Sequence, residues 1–424
     1  MKVCVLGLWH LGSVTAACLA SGGHSVIGLD ESDDVVEGLG QGKAPLFEPG
    51  LNELIQQGIN AGQLRFTTST AEALRDAEVL WVAFDTPVSE DDRADVGYVT
   101  SRVEKLLPLL APSALVIVSS QLPVGSVKGL EARAGRTDIS FASLPENLRL
   151  GKAIEVFTKP DRVIAGVRSE SDRQKVSALL APFTDRLEWM SVESAEMTKH
   201  AINAFLATSV VFINEIATIC EETGADAKEV ERGLKSESRI GPKAYLSPGA
   251  AFAGGTLARD IAFLTELSDK YRRPSPLVAS VKTSNDLHKG WARHKLQSLL
   301  GNLQGKTIGV WGLTYKAGTD TLRRSSSVEL CTWLHRAGAR VVAHDPALKS
   351  LPPELQPVIE LRGSPGEAAT GVDALVVATE WPIYRDVELQ VKGQLTILDA
   401  TRFLRQKFEN HPHVRYVTIG KGVL

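Results

Sequence analysis

Apolar positions follow two rhythms along this chain. Short apolar runs at Val3–Leu6, His24–Leu29, Val79–Phe84, Ala114–Ser119, Phe141–Ser143 and Arg162–Ala165 read as strands. Helical spacing fills the gaps, beginning with Leu11–Ser21. Strands alternating with helices predict a parallel, doubly wound sheet. From Glu193 to about Glu222 the rhythm changes. Met197, Ala201, Phe205, Val211 and Ile216 recur at helical spacing, with Ser191 or Ser194 available as a cap. A helix of that length exceeds what one core needs, so it reads as a connecting spine with a face left for a second copy. Further helical runs cover Ala258–Tyr271 and Pro276–His288. A second strand–helix–strand pattern begins at Thr307, with strands at Ile308–Trp311, Arg340–Ala343, Ala374–Ala378 and Thr396–Leu398 and a helix at Ser326–Ala337. The halves share an architecture without a close sequence repeat.

The first turn carries candidate chemistry. Gly7-Leu8-Trp9-His10-Leu11-Gly12 follows a strand and opens a helix, and Asp30 closes the next strand. This is a dinucleotide fingerprint with its first and third glycines in place. Asp30 suits a ribose hydroxyl and repels a 2′-phosphate, which favours NAD over NADP. The middle glycine is Trp9, whose Cβ stands where backbone normally approaches a pyrophosphate. A plain strand–helix turn is the competing reading. With the fingerprint, the expected fold is α/β, two Rossmann-like doubly wound domains joined by a long central helix. The expected segments are 1–192, 193–300 and 301–424.

Composition narrows the classes. At 424 residues the chain exceeds one core of ~150 residues, and a net charge of −3 gives no footprint for nucleic acid. Cys4, Cys18, Cys220 and Cys331 are scattered, which fits reduced thiols in a cytoplasmic protein. The apolar start to Ala20 is broken by Gly7, His10 and Gly12, so it reads as strand–turn–helix and not as a signal peptide. Ala201–Cys220 contains Asn203, Asn214 and Glu215 and reads as a buried helix, not a membrane span. The nine histidines do not cluster, so no metal site is expected.

Two features mark the middle of the chain. Lys199 and Asn203 are four apart on the spine and share a face. A Lys there is either solvated or partly buried, and a partly buried ammonium suits proton chemistry or oxyanion stabilisation. The second is the small-residue stretch from Ser247 through Gly254-Gly255-Thr256 to Asp260, directly ahead of a helix. Such a stretch admits a ligand closely and presents N–H groups to an anion, or serves only as a structural loop.

Taken in order, these segments resemble the UDP-glucose/GDP-mannose dehydrogenase family across the whole chain. The resemblance rests on Glu48-Pro49-Gly50-Leu51, Thr86-Pro87, Pro123-Val124-Gly125 and Pro145-Glu146-Asn147-Leu148-Arg149. It continues through Lys199–Asn203 with Asn214-Glu215, Arg239-Ile240-Gly241, Gly254-Gly255 with Asp260, and Gly312-Leu313-Thr314-Tyr315-Lys316 with Thr319-Asp320 and Arg323. The resemblance implies an N-terminal NAD domain, a central dimerisation helix and a C-terminal nucleotide-sugar domain. It implies oxidation of a sugar C6 alcohol twice, the second time through a cysteine thioester. The catalytic set it implies is Lys199, Asn203, Asp260 and Glu146, with Thr256 at the nucleophile position. Gly7, Trp9, His10, Leu11, Gly12, Asp30, Thr86, Gln121 and Arg323 fall at cofactor positions. Glu146, Asn147, Leu148, Lys199, Asn203, Arg239, Tyr245, Gly255 and Lys316 fall at substrate positions, with Arg239 reaching the partner protomer's sugar.

The departures are specific. Thr256 stands where the family has its nucleophilic cysteine, Arg259 for a loop Lys, Gln121 for a Thr, Leu150 for an acid, and Thr401 for a substrate Arg with Arg402 beside it. A Thr hydroxyl has no accessible anion at neutral pH, so it is a poor nucleophile. What remains suffices for a first hydride transfer, so the expected reaction stops at two electrons with an aldehyde. The alternatives are a four-electron dehydrogenase working without cysteine, an epimerase that oxidises transiently, and an inactive sugar-nucleotide-binding protein.

Overall fold

The computed structural model describes residues 1–89, 93–253, 255–389, 391 and 393–422. The chain divides into two compact units, Met1–Ile202 and Asn203–Leu424.

The first unit holds strands β1 (Lys2–Leu6), β2 (Ser25–Leu29), β3 (Leu64–Thr67), β4 (Val79–Val82), β5 (Leu115–Val118), β6 (Ser140–Ser143), β7 (Val163–Gly166) and β8 (Leu187–Met190). They form one sheet in the order β3-β2-β1-β4-β5-β6-β7-β8. Alternate residues of β1 enter opposite cores, Val3 and Val5 on one face and Cys4 and Leu6 on the other. Burial on both faces is why the inner strands read as unbroken apolar runs. One expectation is corrected. The sheet is not wholly parallel, because β7 meets β6 antiparallel through Ser143 and Gly166. The helix between them, Ala153–Thr158, has only six residues. It spans about 9 Å, and the rest of the connection, 144–152 and 159–162, holds no further helix or strand.

The second unit holds β9 (Thr307–Trp311), β10 (Arg340–His344), β11 (Glu360–Leu361), β12 (Ala374–Val377), β13 (Leu395–Asp399) and β14 (Val414–Val417). Their order is β11-β10-β9-β12-β13-β14, and every pairing is parallel. The sequence reading missed β3, β8, β11 and β14. All four lie at sheet edges, as in Leu187-Glu188-Trp189-Met190, where Glu188 interrupts the apolar run.

Eight helices matter below: α1 (His10–Ser21), α2 (Ser126–Ala134), α3 (Val192–Thr223), α4 (Ala227–Ser236), α5 (Thr256–Lys270), α6 (Pro276–Lys289), α7 (Trp291–Leu300) and α8 (Ser326–Arg336). The spine is α3, with 32 residues and a length of about 48 Å. Ser191 caps it, its Oγ accepting from Ser194 N–H at 3.2 Å. Glu196 of α3 caps α2 in turn, accepting from Gly125 N–H at 2.7 Å and Val127 N–H at 3.0 Å. Among the described residues α3 alone is long and apolar enough to cross a bilayer by length and composition. Its buried Glu196, Lys199, His200, Asn203 and Asn214 all make hydrogen bonds within the protein.

Candidate functional site

In each sheet the strand order reverses at one place, between β1 and β4 and between β9 and β12. Ligands of such sheets bind at the carboxyl ends of those strands. At the first, β1 runs into Gly7 with φ +86°, where a Cβ would stand 2.5 Å from the Phe84 ring. A Cβ on Gly12 would stand 1.7 Å from the Gly7 carbonyl oxygen. Both glycines are therefore required by close approach. Trp9 is the N-cap residue of α1, makes no side-chain cap bond and is 49% exposed. Asp30 stands at the end of β2, its Oδ2 accepting from Leu8 N–H at 2.7 Å and its Oδ1 from Ser32 N–H at 3.0 Å. His10 reaches back to Glu48 at 3.0 Å, and Glu48 also accepts from Gly151 N–H and Ala153 N–H. That gives the Glu48-Pro49-Gly50 segment a physical role: its buried carboxylate ties the start of α1 to the 151–153 turn. Thr86 is buried and donates from Oγ1 to the Gln121 carbonyl oxygen at 2.9 Å, bringing these two candidates together.

The second sheet repeats the device. Gly312 has φ +91°, and Asp345 at the end of β10 accepts from Leu313 N–H at 2.7 Å, as Asp30 does from Leu8. Asp345 also accepts from Thr314 N–H at 2.9 Å and from Trp381 Nε1–H at 3.1 Å. Lys316 and Arg323 lie on the loop from this turn to α8, with Arg323 exposed.

Lys199 is buried in the first unit and donates from Nζ to the Glu146 carbonyl oxygen and to Asn147 Oδ1. Glu146 turns its carboxylate to Leu148 N–H. In the second unit Asn203 Nδ2 donates to Asp260 Oδ2, and Asp260 is fully buried on the inner face of α5. The loop before α5 is pinned by three side chains. Asn214 Oδ1 accepts from Gly249 N–H at 3.0 Å, His288 Nε2 reaches the Gly249 carbonyl oxygen at 2.9 Å, and Asn285 makes paired bonds to Phe252 at 3.0 and 2.8 Å. Gly255 caps α5 with φ +104°, and Thr256, the first residue of that helix, is exposed. Gly254 lies outside the described residues. Arg239 and Tyr245 are exposed, Arg239 pairing with its neighbour Glu237 at 3.0 Å.

Several residues escaped the sequence reading. Arg324 has a left-handed backbone, φ +59°, and its Nη1 lies 3.8 Å from where a Gly255 Cβ would be. Asp85, just beyond β4, accepts from Leu11 N–H at 3.1 Å. Nothing local in the sequence announces either contact. Arg402 is no stand-in for the arginine missing at Thr401. It is buried and ion-paired with Asp226 at 2.7 Å. No cysteine is primed either. All four are buried, and burial pushes the thiols of Cys4, Cys18 and Cys331 up to about 12 and raises that of Cys220.

Residues 1–184 match the NAD binding domain of the UDP-glucose/GDP-mannose dehydrogenase family, residues 193–287 its central domain, and residues 309–406 its UDP binding domain. The chain belongs to this family. The UDP-glucose 6-dehydrogenase of Pseudomonas aeruginosa is 36% identical over 414 residues, covering 93% of this chain and 91% of its own. That of Rhizobium meliloti is 32% identical, covering 99% and 100%. The solved UDP-glucose dehydrogenase of the archaeon Pyrobaculum islandicum superposes with a TM-score of 0.88 at 29% identity, covering 99% and 98%. The chain is an NAD-dependent nucleotide-sugar dehydrogenase, an oxidoreductase of CH–OH groups, as the resemblance implies. The first turn fits that cofactor. Its two glycines leave no room for side chains, and a carboxylate closes β2.

Proposed function

We propose that this enzyme oxidises the C6 hydroxyl of a UDP-glucose-like nucleotide sugar and releases the aldehyde after one hydride transfer. The observation that carries the reading is the state of the thiols. A thioester step needs a thiolate, and all four cysteines are buried with raised pKa values while Thr256 stands at the nucleophile position.

NAD, when bound, supplies the hydride acceptor. Gly7, Trp9, His10, Leu11 and Gly12 present the turn to its phosphates, and Asp30, Thr86, Gln121 and Arg323 contribute the remaining contacts. Lys199 and Asn203, one turn apart on α3, donate to the C6 oxygen, and Asp260 takes its proton. Loss of that proton and of a hydride from C6 leaves the aldehyde. Preorganised donors on a developing alkoxide are worth about 10²–10³ in rate each. Glu146, Asn147, Leu148, Arg239, Tyr245, Gly255 and Lys316 hold the substrate.

The functional segments in this reading are 1–192 for NAD, 193–300 for dimerisation and the active loop, and 301–424 for the nucleotide sugar. The matched ranges support them. A homodimer through α3 is supported by Phe205, Phe212 and Ile219, spaced seven residues apart and 70%, 45% and 59% exposed. Residues at that spacing form a continuous stripe along one helix face. Scattered cysteines without a disulfide fit a cytoplasmic location.

The test is product stoichiometry with UDP-glucose. One NADH per sugar with an aldehyde captured by hydroxylamine is expected. Two NADH with a uronic acid overturns the reading. So does an epimerised sugar without net NADH, or nucleotide binding without turnover.

A further inference from the structure

We propose that Asp85 is an internal competitor for the cofactor's pyrophosphate, a side chain that holds NAD affinity down. β1 and β4 are the neighbouring strands at which the order of the first sheet reverses. Their carboxyl ends therefore face the dinucleotide crevice. β1 delivers the Gly7 turn there, and β4 runs on through Ala83 and Phe84 to Asp85.

The first N–H groups of α1 have no partner within the helix, and they form its anion site. This helix has no side-chain cap of its own. Trp9 makes no side-chain cap bond, and the first turn carries no acidic residue. The anion comes instead from the neighbouring strand, Asp85 Oδ2 accepting from Leu11 N–H at 3.1 Å. Asp30 Oδ2 meanwhile accepts from Leu8 N–H at 2.7 Å. Two carboxylates thus engage a turn only a few residues long. A dinucleotide pyrophosphate brings two further negative charges to the same amides.

The two carboxylates differ in consequence. Asp30 closes β2, and both of its oxygens are engaged by backbone N–H groups. Its place is beside a ribose, where a carboxylate accepts hydroxyl bonds. Asp85 is exposed and sits at the helix start itself. Cofactor binding has to displace it from Leu11 N–H, and the displaced carboxylate stays beside the diphosphate as a like charge. When the cofactor leaves, Asp85 caps the helix again. Without a cofactor the carboxylate stabilises α1. With one, it repels.

The test is calorimetric binding of NAD, ADP-ribose and adenosine to the full-length protein and its Asp85→Asn and Asp85→Ser variants. Asn is nearly isosteric, and Ser keeps a neutral acceptor, so one of them reports if the other folds poorly. Removing the charge is expected to tighten NAD and ADP-ribose about fivefold, the factor carried by one like-charge contact at about 4 Å in water. Adenosine, which has no phosphate, is expected to be unaffected. The gap between variant and parent is expected to shrink in high salt. Unchanged or weaker ADP-ribose binding overturns the proposal, as does an equal gain for adenosine or a gap that salt leaves intact. Weaker binding identifies Asp85 as a cofactor contact instead.

Discussion

Replacing Gly12 by Ala tests whether the first turn is as tightly determined as its geometry says. The added Cβ falls 1.7 Å from the Gly7 carbonyl oxygen and 2.8 Å from the Gly7 carbonyl carbon, where a real Cβ keeps at least 3.0 Å. More than an ångström has to be found. Gly7 cannot yield it. Its other side is closed by the Phe84 ring, and its N–H is bonded to the Leu29 carbonyl oxygen at 2.9 Å. The shift therefore falls on α1, which is buried along Leu11–Ala20. Overpacking of this kind costs about 1–3 kcal/mol, and the upper end is expected because the opposing atoms are backbone. The amides of the turn move with the helix, so NAD affinity should drop at least about tenfold, a loss of about 1.4 kcal/mol. Gly40→Ala is the control, at a helix end with no atom within 4 Å. It should be neutral or gain about 0.5 kcal/mol. Denaturant unfolding and NAD calorimetry on the two variants decide it. A Gly12→Ala protein with the parental midpoint and affinity would refute the reasoning.

Three further outcomes are expected. Asn203→Ala removes the amide that donates to the buried Asp260; turnover should fall about 10²-fold and stability by about 1–3 kcal/mol, read by NADH formation and chemical denaturation. Phe212→Glu places a charge in the apolar stripe of α3, and sedimentation is expected to show a dimer for the parent and a monomer for the variant. Burial lowers the pKa of His288 from its ordinary 6.5, so its neutral form stabilises the fold fully above about pH 6.5 and loses that contribution as pH falls toward the folded value. The melting temperature should therefore drop on acidification, and His288→Gln should reduce the slope, with buried His24 and His344 supplying a remainder of the same sign.

The inner strands, the spine and the first glycine turn were legible because each depends on local chemistry. Val3–Leu6 is apolar throughout because both faces of β1 are covered. The α3 pattern persists for 32 residues, and Gly7 marks a place where φ is positive, whereas Gly312, also at positive φ, entered only through the family resemblance. Lys199, Asn203 and Asp260 stood out by spacing and by the family resemblance. Tertiary structure alone decided where the remaining charges went. Arg402 looked available beside Thr401, yet Asp226, distant in sequence, holds it buried. Glu196 was one acid among many until the fold set it over the start of α2. Asp85 reached the cofactor turn only because β4 lies next to β1, with more than seventy residues of chain between the carboxylate and Leu11 N–H. A hydrophobic period is written residue by residue, since every position reports the face it occupies. A charge has no period, and its partner is fixed by which strands become neighbours.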